Sequence, residues 1–160
     1  MSSHNVPRHL ILPAAVGVAK MIGERRTVEA QRSIDAYTTR ILGVVAHLGY
    51  GIEYLAAARL HRVGELPDVT PDWFYRNVQH LPFCVTGAAQ LMDEVRYAPI
   101  RNKLSEIAMD PIARVVTYCE AVANSGGQLE GAPGDTMNEA RVQFLTRCLE
   151  PLLPQVDAPV

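Results

Sequence analysis

Residues 28–48 read VEAQRSIDAYTTRILGVVAHL and place apolar side chains at steps of three and four positions. Because a helix completes a turn about every 3.6 residues, one stripe of an α-helix then holds Ile34, Tyr37, Ile41, Val44, Val45 and Leu48. Charged and polar residues occupy the opposite face, as in a helix that borders a core. This segment predicts a long amphipathic helix, and the sequence on its C-terminal side repeats the pattern.

Glycine and proline divide that remaining sequence into further helical segments. Thr70 precedes Pro71 and Asp72, which is the arrangement of an N-cap with proline in the first turn. Asp110 and Pro111 repeat this arrangement. The Gly-rich residues 124–135 predict a loop. We predict helices at residues 52–63, 71–81, 83–97, 100–109, 112–123 and from 136 onward.

The sequence predicts an all-α fold, which we expect to be a compact bundle of about five to seven helices with short connections. No run of alternating β-branched and aromatic residues indicates a strand. A length of 160 residues suits one domain. We expect residues 1–23 to be an N-terminal arm or first helix, residues 24–150 a single helical domain and residues 151–160 a flexible C-terminal tail.

Composition excludes several classes of protein. No apolar run reaches the roughly 18 residues that a membrane span needs, and no secretory signal is recognisable, so we expect a cytoplasmic protein. The three cysteines, Cys84, Cys119 and Cys148, are far apart and fall in apolar helical patterns, which favours free thiols packed as small apolar groups. No Cys or His has the short spacing of a zinc site, so we expect no metal and no cofactor.

The charge is unevenly distributed although the net charge is only −2. Residues 1–62 hold eight basic and four acidic side chains, a balance of +4, whereas residues 63–160 hold seven and thirteen, a balance of −6. Arg25, Arg32 and Arg40 are seven and eight residues apart and share one face if the helix is continuous. Such a row either contacts phosphates or is the ordinary solvated face of an amphipathic helix.

Catalytic motifs are sparse, and we predict a protein that is not an enzyme. No glycine-rich loop precedes Lys-Ser or Lys-Thr, so a phosphate-binding P-loop is absent from the sequence. One pair does have a catalytic meaning: Arg40 and His47, seven residues apart, resemble the arginine-to-histidine spacing of the HEPN ribonuclease family. In that chemistry a cation holds the phosphate and an imidazole moves the proton. Ile41 departs from the family, which usually has a polar residue after the arginine.

A second resemblance covers about residues 25–123. The sequence YRNVQHLP (residues 75–82) leads through a Leu-Pro step into the apolar segment 83–92, which contains Gly87. Placed after two long N-terminal helices, this segment resembles the small-subunit family of CRISPR effector complexes, with type III and type IV systems the nearest. The resemblance implies an all-α, non-catalytic subunit that stacks along a filament of backbone subunits.

The resemblance also implies partners and contact residues. The partners are the backbone subunits of the effector complex, neighbouring copies of the chain, and the phosphates of the guide RNA and target nucleic acid. In this chain, the resemblance assigns the contacts with the nucleic-acid backbone to cationic side chains. The candidates for contact with the nucleic-acid backbone are Arg25, Arg26, Arg32, Arg40, Arg76, Arg96, Arg101 and Lys103.

A third interpretation needs no nucleic acid. A helical protein–protein interaction or adaptor module, acting as a homo-oligomer, would present aromatic anchors, because aromatic side chains dominate the binding energy of interfaces. On that interpretation Tyr50, Tyr54 and Trp73 are expected to be exposed.

Overall fold

The computed structural model describes residues 6–60, 69–96, 100–123 and 146–156, and within those ranges it is all-α with no strand. The predicted fold class is therefore confirmed. A short 3-10 helix at Arg8–Leu10 leads into the first α-helix, and another, Glu150–Leu152, follows a helical turn at residues 146–149. The longer helices are α1 (Ile11–Gly23), α2 (Val28–His47), α3 (Ile52–Arg59), α4 (Pro71–Val78), α5 (Phe83–Arg96), α6 (Ile100–Met109) and α7 (Pro111–Ala123).

Three helices begin at side-chain caps. Thr27 Oγ1 accepts a hydrogen bond from the amide of Ala30 at the start of α2, and Thr70 Oγ1 accepts one from Trp73 at the start of α4, both at 3.1 Å. Asp110 Oδ1 accepts from the amide of Ala113 at 2.9 Å and starts α7. Each cap satisfies an amide that has no partner within its helix. The predicted caps at Thr70 and Asp110 are thus confirmed.

The N-terminal segment contributes a helix to the core. Pro13 is the third residue of α1, where its missing amide donor costs nothing because first-turn amides lack a partner within the helix. Ile11, Ala15, Val18 and Ile22 on one face of α1 are buried. Of the two expectations for residues 1–23, an arm or a helix, the structure shows a helix over Ile11–Gly23.

Helix α3 lies at the centre of the bundle and packs against α1, α2, α5 and α7. Ala56, Ala57, Ala58 and Leu60 have no exposed surface. Three consecutive alanines point in directions about 100° apart, so α3 is covered on more than one side. Their small side chains allow four neighbouring helices to approach one central helix. Glu53 of α3 also pairs with Arg8 at 2.9 Å and joins the chain start to this helix.

The turn between α2 and α3 requires a glycine. Gly49 has a φ of +88°, a left-handed conformation that side chains other than glycine rarely adopt. Its amide donates to the carbonyl of Ala46, and the amide of Tyr50 donates to the carbonyl of Val45. These two bonds are those of a Schellman motif, which satisfies the last carbonyls of α2. The predicted division of the sequence by glycine is therefore confirmed at Gly49.

Two of the three aromatic anchors expected of an interaction module, Tyr50 and Tyr54, are buried, and for these two the prediction was wrong. Tyr50 is 6% exposed and Tyr54 is 3% exposed, and their ring centroids lie 4.8 Å apart. The C-terminal segment contacts Tyr50, whose hydroxyl donates a hydrogen bond to the carbonyl of Pro154 at 2.6 Å. Burial raises the pKa of both tyrosine hydroxyls. Trp73 is only partly buried.

Candidate anion-binding clefts

Three of the cations predicted from the sequence, Arg26, Arg32 and Arg40, line two separate clefts. The larger, about 630 Å³, lies between the C-terminal half of α1 and the first turns of α2. We call it the α1–α2 cleft. Its cationic side chains come from the end of α1, the following turn, α2 and the end of α3, and they are Lys20, Arg26, Arg32 and Arg59. Two acidic residues, Glu24 and Asp35, also line it.

The turn between α1 and α2 shapes this cleft and corrects one prediction. Arg25 and Arg26 lie in this turn rather than on one helix continuous with Arg32, because α1 ends at Gly23 and the Thr27 cap begins α2. At Gly23 a Cβ atom would lie 2.7 Å from the side-chain amide of Gln31. Glycine thus permits the close approach of the two helices.

A short network of hydrogen bonds orients the cleft wall. A terminal nitrogen of Arg26 donates to Oε1 of Gln31 at 3.1 Å, and Nε2 of Gln31 donates to Oδ1 of Asp35 at 2.8 Å. Gln31 therefore holds a guanidinium on one side and a carboxylate on the other. Arg32, the next residue along α2, is exposed at the cleft.

Arg59, like Lys20, lines the cleft but is not among the cations predicted from the sequence to contact nucleic acid. It ends α3 after the buried alanines, and its Nε is inaccessible to solvent without a hydrogen-bond partner among the described residues. A buried donor without an acceptor is unfavourable by roughly 1–3 kcal/mol, more when charged. The sequence does contain a signal, since Arg59 is the one basic residue in α3. Nothing in the sequence, however, shows that α3 ends beside α1 and α2.

Arg25 and Arg76 lie outside the cleft lining. The guanidinium of Arg25 lies over the ring of Trp73, 4.7 Å from the centroid, a cation–π contact that joins the α1–α2 turn to α4. Arg76 is exposed and pairs with Asp72 one turn earlier on α4. Arg96 lies at the end of α5 and Arg101 and Lys103 lie on α6, but their side chains are outside the described part of the structure.

Arg40 lines the second cleft together with His47. This cleft, about 360 Å³, lies between the C-terminal half of α2 and α7, and we call it the α2–α7 cleft. Gly43 lies between the two side chains along the helix, and Tyr118 of α7 borders the other side. Burial, with the nearby Glu150, raises the pKa of the Tyr118 hydroxyl. Arg32 and Arg40 share α2 but border different clefts, so the predicted single row of arginines is divided.

The remaining chemistry of the described residues is sparse. No group of three or more His, Cys, Asp or Glu residues is arranged to hold a metal ion there. Cys84, Cys119 and Cys148 are free, and burial raises the pKa of Cys119 to about 12. Within the described ranges, no helix combines the length and apolarity needed to cross a membrane.

No protein-family model, curated protein or solved structure matches the chain significantly.

Proposed function

We propose that this chain is a non-catalytic helical subunit of a ribonucleoprotein and that the α1–α2 cleft contacts nucleic-acid phosphates. The observation that carries the proposal is the convergence of Lys20, Arg26, Arg32 and Arg59 from three helices and a turn on one cleft. Arginine presents a planar set of donors that matches phosphate oxygens. Phosphate contacts of this kind position a nucleic acid without reading its sequence.

The assembly we propose is the one suggested by the sequence resemblance, a CRISPR effector complex of type III or type IV in the cytoplasm. There the chain would stack along the backbone subunits and against copies of itself, and its cationic cleft would face the guide RNA or the target strand. The uneven charge supports this arrangement, because an acidic C-terminal portion suits contact with basic backbone subunits while the basic portion faces phosphates.

The proposal predicts a loss of phosphate contacts in the double variant Arg26→Gln/Arg32→Gln. Binding of a labelled single-stranded RNA by the full chain is measured by fluorescence anisotropy over a series of salt concentrations. Each phosphate contact to a single strand contributes about 0.7 to the slope of log affinity against log salt, so the variant is expected to lose about 1.4 units of slope.

Arg147→Glu is the matched control, because it changes the net charge by the same two units as the double variant. Arg147 is exposed on the helical turn at residues 146–149 and does not line the α1–α2 cleft. Its slope is expected to remain close to that of the unmodified chain. Equal losses in both variants would show that only net charge matters and would contradict the proposal, as would the absence of RNA binding.

A second candidate function is RNA cleavage at the α2–α7 cleft. The observation that favours it is that Arg40 and His47 line the same cleft, with the hydroxyl-bearing Tyr118 opposite. A guanidinium there could hold a phosphodiester while the imidazole of His47 takes or gives a proton. This candidate and the non-catalytic proposal are distinguished by whether bound RNA is cleaved.

If the second candidate is correct, purified chain cleaves single-stranded RNA in the presence of a metal chelator, and His47→Asn abolishes the cleavage. Removing a general acid or base typically reduces a rate by about 10²- to 10⁴-fold. His9, an exposed histidine at the N-terminal 3-10 helix, provides the matched control His9→Asn. Intact RNA after incubation with the unmodified chain rejects this candidate, and so does equal cleavage by His47→Asn.

A further inference from the structure

The α1–α2 cleft has an apolar wall as well as a cationic one. Val16 and Ala19 of α1 and Val28 of α2 line it together with the cations. Val28 is 74% exposed and Val16 is 37% exposed, so apolar surface is left open to a ligand. Contact with phosphates alone requires no such surface. A ligand that fills this cleft therefore has an anionic part and a flat or apolar part.

The volume and the charge of the cleft restrict the ligand further. Ligand pockets of about 300–1,000 Å³ hold small molecules, and the cleft, about 630 Å³, falls in this range. Among the described residues, four cationic side chains and two acidic ones line it, and together they contribute a net charge of +2. A phosphomonoester carries about −1.5 to −2 charges at neutral pH, whereas an internal phosphodiester carries only one. The charge of the cleft thus matches one phosphomonoester.

Arg59 has a hydrogen-bond donor, its buried Nε, that lacks an acceptor among the described residues. Its side chain lines the cleft together with Arg26 and Arg32. A phosphate placed between these guanidinium groups would offer acceptors to the Arg59 side chain as well as to Arg26 and Arg32. The Gln31 amide holds Arg26 beforehand, which reduces the ordering that binding requires.

We propose that the α1–α2 cleft binds one nucleoside monophosphate unit, with its phosphomonoester at Arg26, Arg32 and Arg59 and its base or ribose against Val16 and Val28. Two sources offer this chemistry, a free nucleotide and the phosphorylated end of an RNA strand. The second source rests on the proposed function, because it makes the cleft the point where a strand end is held.

The test is isothermal titration calorimetry of the full chain with adenosine monophosphate, adenosine and inorganic phosphate, each titrated separately. Adenosine monophosphate is expected to bind at least about tenfold more tightly than either part alone, since hydrogen bonds to charged groups each contribute appreciably to affinity. Arg32→Gln, at an exposed position, and Arg59→Gln are each expected to weaken this binding about tenfold, and Arg147→Gln to leave it unchanged. Because Arg59 is partly buried, Arg32→Gln keeps the test valid if the Arg59 variant fails to fold.

Single-stranded RNA with a 5′-phosphate and the same RNA with a 5′-hydroxyl separate the two sources. Tighter binding of the phosphorylated strand supports the strand end, and equal binding of both strands together with tight binding of adenosine monophosphate supports the free nucleotide. Adenosine monophosphate that binds no better than inorganic phosphate overturns this inference, even where RNA still binds with the salt dependence of the proposed function. Tight binding of the nucleotide without RNA binding supports the inference and rejects the proposed function.

Discussion

Phe74→Ala is expected to lower the free energy of unfolding by about 3–5 kcal/mol, the range for removing a buried aromatic ring. Phe74 is 3% exposed and fixes the short helix α4 in the core. Helix α4 has only eight residues, too few to be stable in isolation, so it depends on this contact. Urea unfolding followed by far-ultraviolet circular dichroism measures the loss independently of Trp73, the neighbouring chromophore.

Phe83→Ala is the matched control, since the same ring is removed from a surface position. Phe83 begins α5 and is 71% exposed. Substitutions at such positions usually change stability by less than about 0.5 kcal/mol. A loss for Phe74→Ala no larger than that for Phe83→Ala would mean that Phe74 does not anchor α4 as described.

The stability of α4 also affects the turn between α1 and α2, which borders the α1–α2 cleft. Trp73, next to Phe74, lies beneath the guanidinium of Arg25. Loosening α4 therefore removes the aromatic support of the turn that also carries Arg26. We expect the effects of substituting Arg25 and Trp73 on stability to be non-additive, because residues in direct contact rarely contribute independently.

Local signals explain why most helices could be predicted from the sequence. The predicted helix at residues 28–48 is observed as Val28–His47, and the predicted helix at 100–109 is observed with the same bounds. Thr70 and Asp110 act as caps because each cap involves only residues three apart. Sequence patterns that span so few residues can be recognised in any short stretch of the chain. The predicted loop at 124–135 and the helix start at 136 lie outside the described residues.

Contacts between distant segments explain what could not be predicted. Tyr50 is buried because the carbonyl of Pro154, 104 residues away, covers its hydroxyl. Arg59 joins the candidate site because α3 packs against both α1 and α2, and no local pattern encodes that packing. The arginine row was divided by a local cause, the Thr27 cap, and by a distant one, the packing of α7 beside Arg40.

The burial of the three alanines of α3 is another feature that could not be predicted from the sequence. By sequence, Ala56, Ala57 and Ala58 are simply good helix formers that suit a surface as well as a core. In the structure all three are fully buried. Their role follows from the four helices around α3, since a larger side chain would have to displace a neighbouring helix.

Ala57→Asp is therefore expected to destabilise the protein severely at neutral pH. The site offers the introduced carboxyl no solvent, because Ala57 has no exposed surface. A carboxyl that stays protonated in the folded state at pH 7, against an ordinary pKa of about 3.9, costs about 4 kcal/mol. Crowding of the neighbouring helices adds about 1–3 kcal/mol. Ala36→Asp, at an exposed position of α2, is the control and is expected to change stability by less than about 1 kcal/mol, mainly through the lower helix propensity of aspartate.

The sign of the pH dependence distinguishes a buried carboxyl from crowding alone. Above its ordinary pKa the introduced carboxyl loses its proton in the unfolded chain but keeps it in the folded one, so the folded state binds more protons and stability falls as the pH rises. Between pH 5 and pH 7 the destabilisation by Ala57→Asp, relative to the unmodified chain, is expected to grow by about 2.7 kcal/mol. A loss that is the same at both pH values would mean that the carboxyl reaches solvent, and α3 would then not be the enclosed centre of the bundle.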